Sequence, residues 1–140
     1  MHEFALADAV MRAALSTARA EGLERVNAIR IRVGELQRIK KDVFEFALRE
    51  TRPADEPLLE GTEVHVAIEP ATFRCRACGG TFLLRDAVGA EGDDEREAIH
   101  FVPELAHAFM TCPTCRSPDF EIVAGRGVAI EAIDGEVADA

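Results

Sequence analysis

A chain of 140 residues is one ordinary domain's worth, long enough to bury about 68% of the surface its unfolded form exposes and to carry a small satellite unit. The apolar fraction of 48% fits a soluble globular protein, and no run approaches the roughly 18 apolar residues that a membrane span needs. A net charge of -10 disfavours nucleic acid as a partner, because nonspecific affinity for phosphates rests on Lys and Arg displacing counterions.

Met1-His2-Glu3 has no basic region ahead of an apolar stretch and does not read as a secretory signal, so a cytoplasmic location is expected. From Phe4 to Ala20 the residues Leu6, Val10, Ala14 and Ala18, with Ala7, Met11 and Leu15, recur at three- and four-residue spacing. This predicts a helix ended near Gly22. Ile29, Ile31 and Val33 alternate with Arg30 and Arg32, predicting a strand over 26–33 with one wet face. Asp42 stands where an N-cap belongs, ahead of a second amphipathic helix that runs to about Arg52 and stops before Pro53.

A second strand is expected where Val64, Val66 and Ile68 alternate with Glu63, His65 and Glu69, and two more at 120–123 and 128–133. Gly125-Arg126-Gly127 reads as the hairpin turn between those two. Between the strands lies a cysteine segment. Within it, residues 90–97 look charged and solvated, whereas Pro103 is a favoured first residue for a short packed helix over 103–110. The expected fold is α+β, a small sheet packed with two helices plus an inserted four-cysteine zinc domain. The expected bounds are residues 1–72 with 118–140 for the main domain and 73–117 for the insert.

The four cysteines form two Cys-x-x-Cys pairs, Cys75 with Cys78 and Cys112 with Cys115. Two thiolates spaced this way on one tight turn reach the same tetrahedral ion, and two such turns complete a four-sulfur zinc site. Gly79 after the first pair allows a positive φ that aims amides at the sulfurs, while Arg116 departs from this pattern after the second. Disulfides are disfavoured in a chain expected in the cytosol. A four-sulfur ion has no open position, so it organises the fold rather than activating water. Arg74, Arg76 and Arg116 cluster beside the cysteines and would suit an acidic protein partner.

At the other end, Met1-His2-Glu3 places an α-amine, a backbone amide and an imidazole in one continuous chelate. That is a donor set for a square-planar ion such as Ni(II) or Cu(II). The motif is weak taken alone, but the whole chain resembles the hydrogenase nickel incorporation (HypA) family. The matching stretches are Met1-His2-Glu3 leading into a helix, Val33-Gly34-Glu35-Leu36, Phe73-x-Cys75-x-x-Cys78, Cys112-Pro113-x-Cys115 and Gly125-Arg126-Gly127. The long insert between the cysteine pairs is similar to the archaeal variety.

The resemblance implies a nickel metallochaperone that binds Ni(II) at its N-terminus, holds a structural Zn(II), and works with a HypB-type GTPase to supply the [NiFe]-hydrogenase large subunit. Some bacterial members also serve urease. Met1 and His2 would give three nickel donors. A fourth is left open between Glu3, through its amide or side chain, and a histidine. His65 reads as a solvated strand residue and His107 as a half-buried helix residue, while His100 in the insert is the candidate that would couple the two metal sites. Glu3 is equally explained by the helix macrodipole. The sequence leaves open a homodimer and exchange of segments between chains.

Two readings from other classes compete. A zinc-ribbon interaction module binding nucleic acid or protein is opposed, for nucleic acid, by the acidic balance and scarce aromatics. A redox enzyme using Cys-x-x-Cys is opposed by one ion accounting for all four cysteines. No catalytic triad, phosphate-binding glycine loop or paired-carboxylate signature is present, and a non-enzyme is expected.

Overall fold

In the computed structural model, residues 3–89 and 92–137 are described. The chain forms two compact units. The first comprises residues 1–32, 39–67 and 128–140; the second comprises residues 33–38 and 68–127. Among the described residues no helix is long and apolar enough to cross a membrane.

The first unit is built on α1 (Glu3–Ala20), whose apolar stripe Ala7, Val10, Met11, Ala14, Leu15 and Ala18 is buried. It packs on α2 (Lys41–Thr51), which buries Phe44, Ala47 and Leu48. Both helices follow from three- and four-residue apolar spacing. Strands β1 (Leu23–Gly34), β2 (Glu63–Glu69) and β6 (Val128–Val137) form a sheet in the order β2-β1-β6. Ile29 and Ile31 point into the core, while Arg30 and Arg32 face outward to Asp134 and Glu131 at 3.5 and 3.7 Å. The buried Thr62 hydroxyl donates to the Val26 carbonyl at 2.6 Å, so its polarity is satisfied where it is hidden.

The expected N-cap is corrected. Lys40 occupies that position, and the Asp42 carboxylate instead accepts from the neighbouring Val43 N–H at 2.9 Å, inside the first turn. A carboxylate there still faces the positive end of the helix dipole.

The second unit holds an antiparallel sheet of β4 (Thr81–Leu83), β3 (Thr72–Cys75) and β5 (Phe120–Ala124), with β3 in the centre. Phe73 pairs with Phe82 on one side and Ile122 on the other, and Cys75 pairs with Phe120. The Phe73, Phe82 and Phe120 rings meet at 5.4 to 5.7 Å, one pair stacked and two edge to face. Leu36, Ile99, Met110, Cys75 and Cys112 belong to the same buried cluster.

Helix α3 (Asp93–Phe101) stands where the sequence looked solvated; Ala90 and Glu91 lie outside the described residues. Asp93, Asp94 and Glu95 in its first turn favour the helix dipole, and Ile99 supplies the apolar anchor. The helix expected over 103–110 is instead a 3-10 turn, Pro103–Leu105, followed by the single turn α4 (Ala106–Phe109).

The expected hairpin at Gly125-Arg126-Gly127 is also corrected, because β5 and β6 belong to different sheets. The glycines serve a crossing instead: Gly34 N–H donates to the Gly127 carbonyl at 2.8 Å and Leu36 N–H to that of Gly125 at 3.0 Å. Gly125 has φ +98° and lies so close to Ala71 that an added Cβ would be 2.3 Å from the Ala71 Cα, whereas one on Gly127, at φ +74°, would meet nothing within 4 Å. Gly125→Ala should therefore cost about 2–4 kcal/mol, combining strain with a backbone collision. Gly127→Ala should cost only the left-handed penalty of about 1–2 kcal/mol. Urea unfolding of the two variants checks the ordering.

Candidate metal centre

Each cysteine pair sits on a backbone turn closed by two hydrogen bonds. In the first, Gly79 N–H donates to the Cys75 carbonyl at 2.9 Å and Cys75 N–H to that of Gly80 at 2.8 Å. In the second, Arg116 N–H donates to the Cys112 carbonyl at 2.9 Å and Cys112 N–H to that of Ser117 at 2.9 Å. The residue after the second cysteine is left-handed in both turns, Gly79 at φ +77° and Arg116 at φ +64°. Arg116 thus adopts the conformation that glycine supplies without a Cβ penalty in the first turn.

The four sulfurs lie within 4.8 Å of one another. Cys75 Sγ is 3.4 Å from Cys115 Sγ, and Cys78 Sγ is 3.8 Å from Cys112 Sγ. Sulfurs bound at about 2.3 Å to one tetrahedral ion stand about 3.8 Å apart, whereas a disulfide holds them at about 2.05 Å. All four cysteines are free, Cys75 and Cys112 buried and Cys78 and Cys115 exposed. The donor set and its spacing fit a structural metal such as zinc.

The electrostatics point the same way. The Cys112 thiol is lowered to about 6, first by the Cys115 amide and then, against the opposing effect of desolvation, by the Thr114 amide and the Cys78 and Cys115 thiols. The Cys75 thiol is lowered chiefly by the Cys78 amide. Cys115 is raised to about 11: the Ser117 amide favours its thiolate, but the Cys75 sulfur, desolvation and the sulfurs of Cys78 and Cys112 together outweigh it. Packed sulfurs cannot all be negative without a cation among them. A divalent ion held by these four cysteines would remove that conflict.

Of the nickel-binding candidates, Glu3 opens α1, and Met1 and His2 lie outside the described residues. His100 is in the last turn of α3, its Nδ1 at 3.0 Å from the Leu36 carbonyl. As the donor in that bond, Nδ1 carries the proton and leaves Nε2 as the basic nitrogen. His65 is exposed beside Glu63 at 3.3 Å. His107 places Nδ1 at 2.9 Å from the Pro118 carbonyl and stacks on Phe120 at 4.5 Å.

Two features of the surroundings were not readable from sequence. Glu35 is a positioning residue, its carboxylate accepting the Ala71 N–H at 2.9 Å. Arg74 and Arg76 are ion-paired across the small sheet with Glu121 and Asp119, each at 3.0 Å, which accounts for the basic residues ahead of and within the first pair. The carboxylates that match these arginines are more than forty positions away.

The family model for hydrogenase/urease nickel incorporation, metallochaperone, HypA, matches residues 1–135. The hydrogenase maturation factor HypA of Thermococcus sibiricus is 44% identical over 136 residues, covering 97% of each chain. That of Pyrococcus furiosus is 44% identical over 133 residues, covering 95% of this chain and 94% of the relative. The solution structure of the Ni metallochaperone HypA from Helicobacter pylori superposes with a TM-score of 0.61 at 14% identity, covering 99% of this chain and all of that one, a likeness of fold. Together with the four-cysteine centre, these matches place the chain in the HypA family of nickel metallochaperones for hydrogenase maturation.

Proposed function

We propose that this chain binds Ni(II) at its N-terminus and passes it, with a HypB-type GTPase, to the large subunit of a [NiFe]-hydrogenase in the cytoplasm, acting as a carrier rather than an enzyme. The observation that carries this reading is a family match that begins at residue 1 and so takes in Met1-His2-Glu3. Nickel is cargo here. The Met1 amine, the His2 amide and the His2 imidazole would supply three square-planar donors, and Glu3 or His100 the fourth. His100 enters on donor chemistry, as an imidazole whose other nitrogen is already engaged. Residues 1–72 and 118–140 are assigned the nickel role and residues 73–117 the zinc role.

The ion at Cys75, Cys78, Cys112 and Cys115 is proposed to be Zn(II), whose preference for four thiolates in a tetrahedron matches the sulfur spacing. When bound it supplies structure and charge compensation. The chain's own residues do the rest: the Cys115 and Thr114 amides hold the Cys112 thiolate, and the two turns keep all four sulfurs converged.

Elemental analysis should find one tightly held zinc per chain. Cys112→Ser should lose it and destabilise the second unit by about 3 kcal/mol or more, since both metal and buried thiolate are lost. Nickel titration of zinc-loaded protein with its native terminus should show square-planar absorption, lost when one residue is added before Met1. Equal binding by both forms would refute the terminal chelate. Affinity should fall as pH drops below about 6.5, where the α-amine and His2 are both protonated; a flat profile from about pH 7.5 to 6 contradicts the model. His100→Ala should weaken nickel binding and alter its spectrum. An unchanged spectrum leaves Glu3 as the fourth ligand.

A further inference from the structure

The four cysteines are the whole thiol content of the chain, and the two turns present them unequally. Cys75 and Cys112 are 0% and 1% exposed, packed in the same buried cluster as Phe73, Phe82 and Phe120. Cys78 and Cys115 are exposed. So are the residues around them: Arg76, Ala77, Gly79 and Gly80 in the first turn, Thr114 and Arg116 in the second. A small polar molecule in solution therefore meets Cys78 and Cys115 and is kept from the other two, and access of this kind decides which thiolates react.

Each exposed cysteine faces a buried one from the opposite turn. Cys115 Sγ stands 3.4 Å from Cys75 Sγ, and Cys78 Sγ 3.8 Å from Cys112 Sγ. Closing either couple to a bond of about 2.05 Å asks the sulfurs to approach by less than about 2 Å. The buried sulfurs are held for this, Cys75 Sγ by the Cys78 N–H at 3.5 Å and Cys112 Sγ by the Thr114 N–H at 3.4 Å. A bridge between turns also keeps the insert closed, since it links positions 40 or 34 residues apart, and a bridge restrains the unfolded chain more the longer the loop it closes. A bridge inside one Cys-x-x-Cys would leave the two turns untied.

We propose that Cys78 and Cys115 are sites of oxidation by hydrogen peroxide, which converts the cluster to bridges between Cys75 and Cys115 and between Cys78 and Cys112 and frees the bound ion. The inference rests on the reading of these cysteines as a zinc site and adds a redox response to it. First the exposed thiolate attacks the peroxide: an S–O bond forms, the O–O bond breaks, and the departing hydroxide is protonated to water. The buried thiolate of the facing turn then attacks that sulfur: the S–S bond forms, the S–O bond breaks, and a second hydroxide leaves and is protonated. For each bridge two thiolates give up two electrons, two protons are taken up, and one peroxide becomes two waters. A bridged sulfur is no longer a thiolate donor, so each bridge removes two of the four donors that hold the ion. In the proposed cytoplasmic setting thiol reductants reverse the bridges by exchange, so the oxidised form lasts only as long as the peroxide does.

The test treats zinc-loaded full-length protein with hydrogen peroxide and follows zinc captured by a chromogenic chelator, free thiols, and the positions bridged. Zinc should be freed in step with thiol loss, and dithiothreitol with added zinc should restore both. Dimedone, which traps sulfenic acids, should label Cys78 and Cys115 and leave Cys75 and Cys112 unlabelled. Trypsin cuts after Arg74, Arg76, Arg85, Arg96 and Arg116, which puts Cys75 on one peptide, Cys78 on a second, and Cys112 with Cys115 on a third. The proposed bridges join all three peptides, and fragmentation of the joined species should pair Cys75 with Cys115 and Cys78 with Cys112. Bridges within the turns would join only the first two peptides and close the third on itself. That pattern, dimedone on the buried cysteines, oxidation to sulfinic acid without bridging, or zinc retained after peroxide overturns the proposal. A parent that carries no zinc by elemental analysis instead overturns the zinc reading, and is seen before any peroxide is added.

Discussion

Four sulfurs held within 4.8 Å of one another are the constraint on which the second unit depends. Thiolates at that separation repel, and the backbone amides of the two turns offset only part of the repulsion, as the opposed shifts of Cys112 and Cys115 show. A cation held by the four cysteines would both offset the repulsion and tie together segments separated by 33 residues. The cysteines also belong to the core: Cys75 and Cys112 are buried with Phe73, Phe82 and Phe120. Metal binding and hydrophobic packing therefore reinforce each other in one cluster.

The first unit follows a different physical logic. Its core is the buried stripe of α1 against α2 and the inward face of β1. One chain thus combines a core made by apolar periodicity with a core organised around ligand chemistry. Such a division would suit the proposed carrier role, in which a structural ion held by four sulfurs and the cargo would use different donor sets.

The sequence was legible where the determining signal is local. The spacing of Val10, Ala14 and Ala18 fixes α1, the alternation from Ile29 to Val33 shows β1, and each Cys-x-x-Cys carries its turn geometry within four residues. Legibility failed where the partner lies far along the chain. Strands β3 and β4, of four and three residues, are too short to show a period, and their identity depends on pairing with β5. Gly125-Arg126-Gly127 has the local chemistry of a hairpin turn, but its hydrogen-bond partners are Gly34 and Leu36. Arg116 is the converse case: a glycine-like conformation is imposed by the turn on a residue that does not advertise it. The nickel donors proposed at Met1 and His2 rest on resemblance, since a histidine at position 2 carries no distinctive spacing of its own.

The crossing of Gly34–Leu36 with Gly125–Gly127 has a consequence for how the chain is made. Leu36 is in the core of the second unit, yet it leaves the ribosome roughly ninety residues before the segment it bonds to, a separation at which loop closure slows folding. During synthesis the first cysteine pair also emerges well before the second. The nascent second unit must therefore wait, with Leu36 and Phe73 uncovered, until nearly the whole polypeptide is out. Its sheet and its sulfur cluster can close only once β5 and the second cysteine pair have arrived.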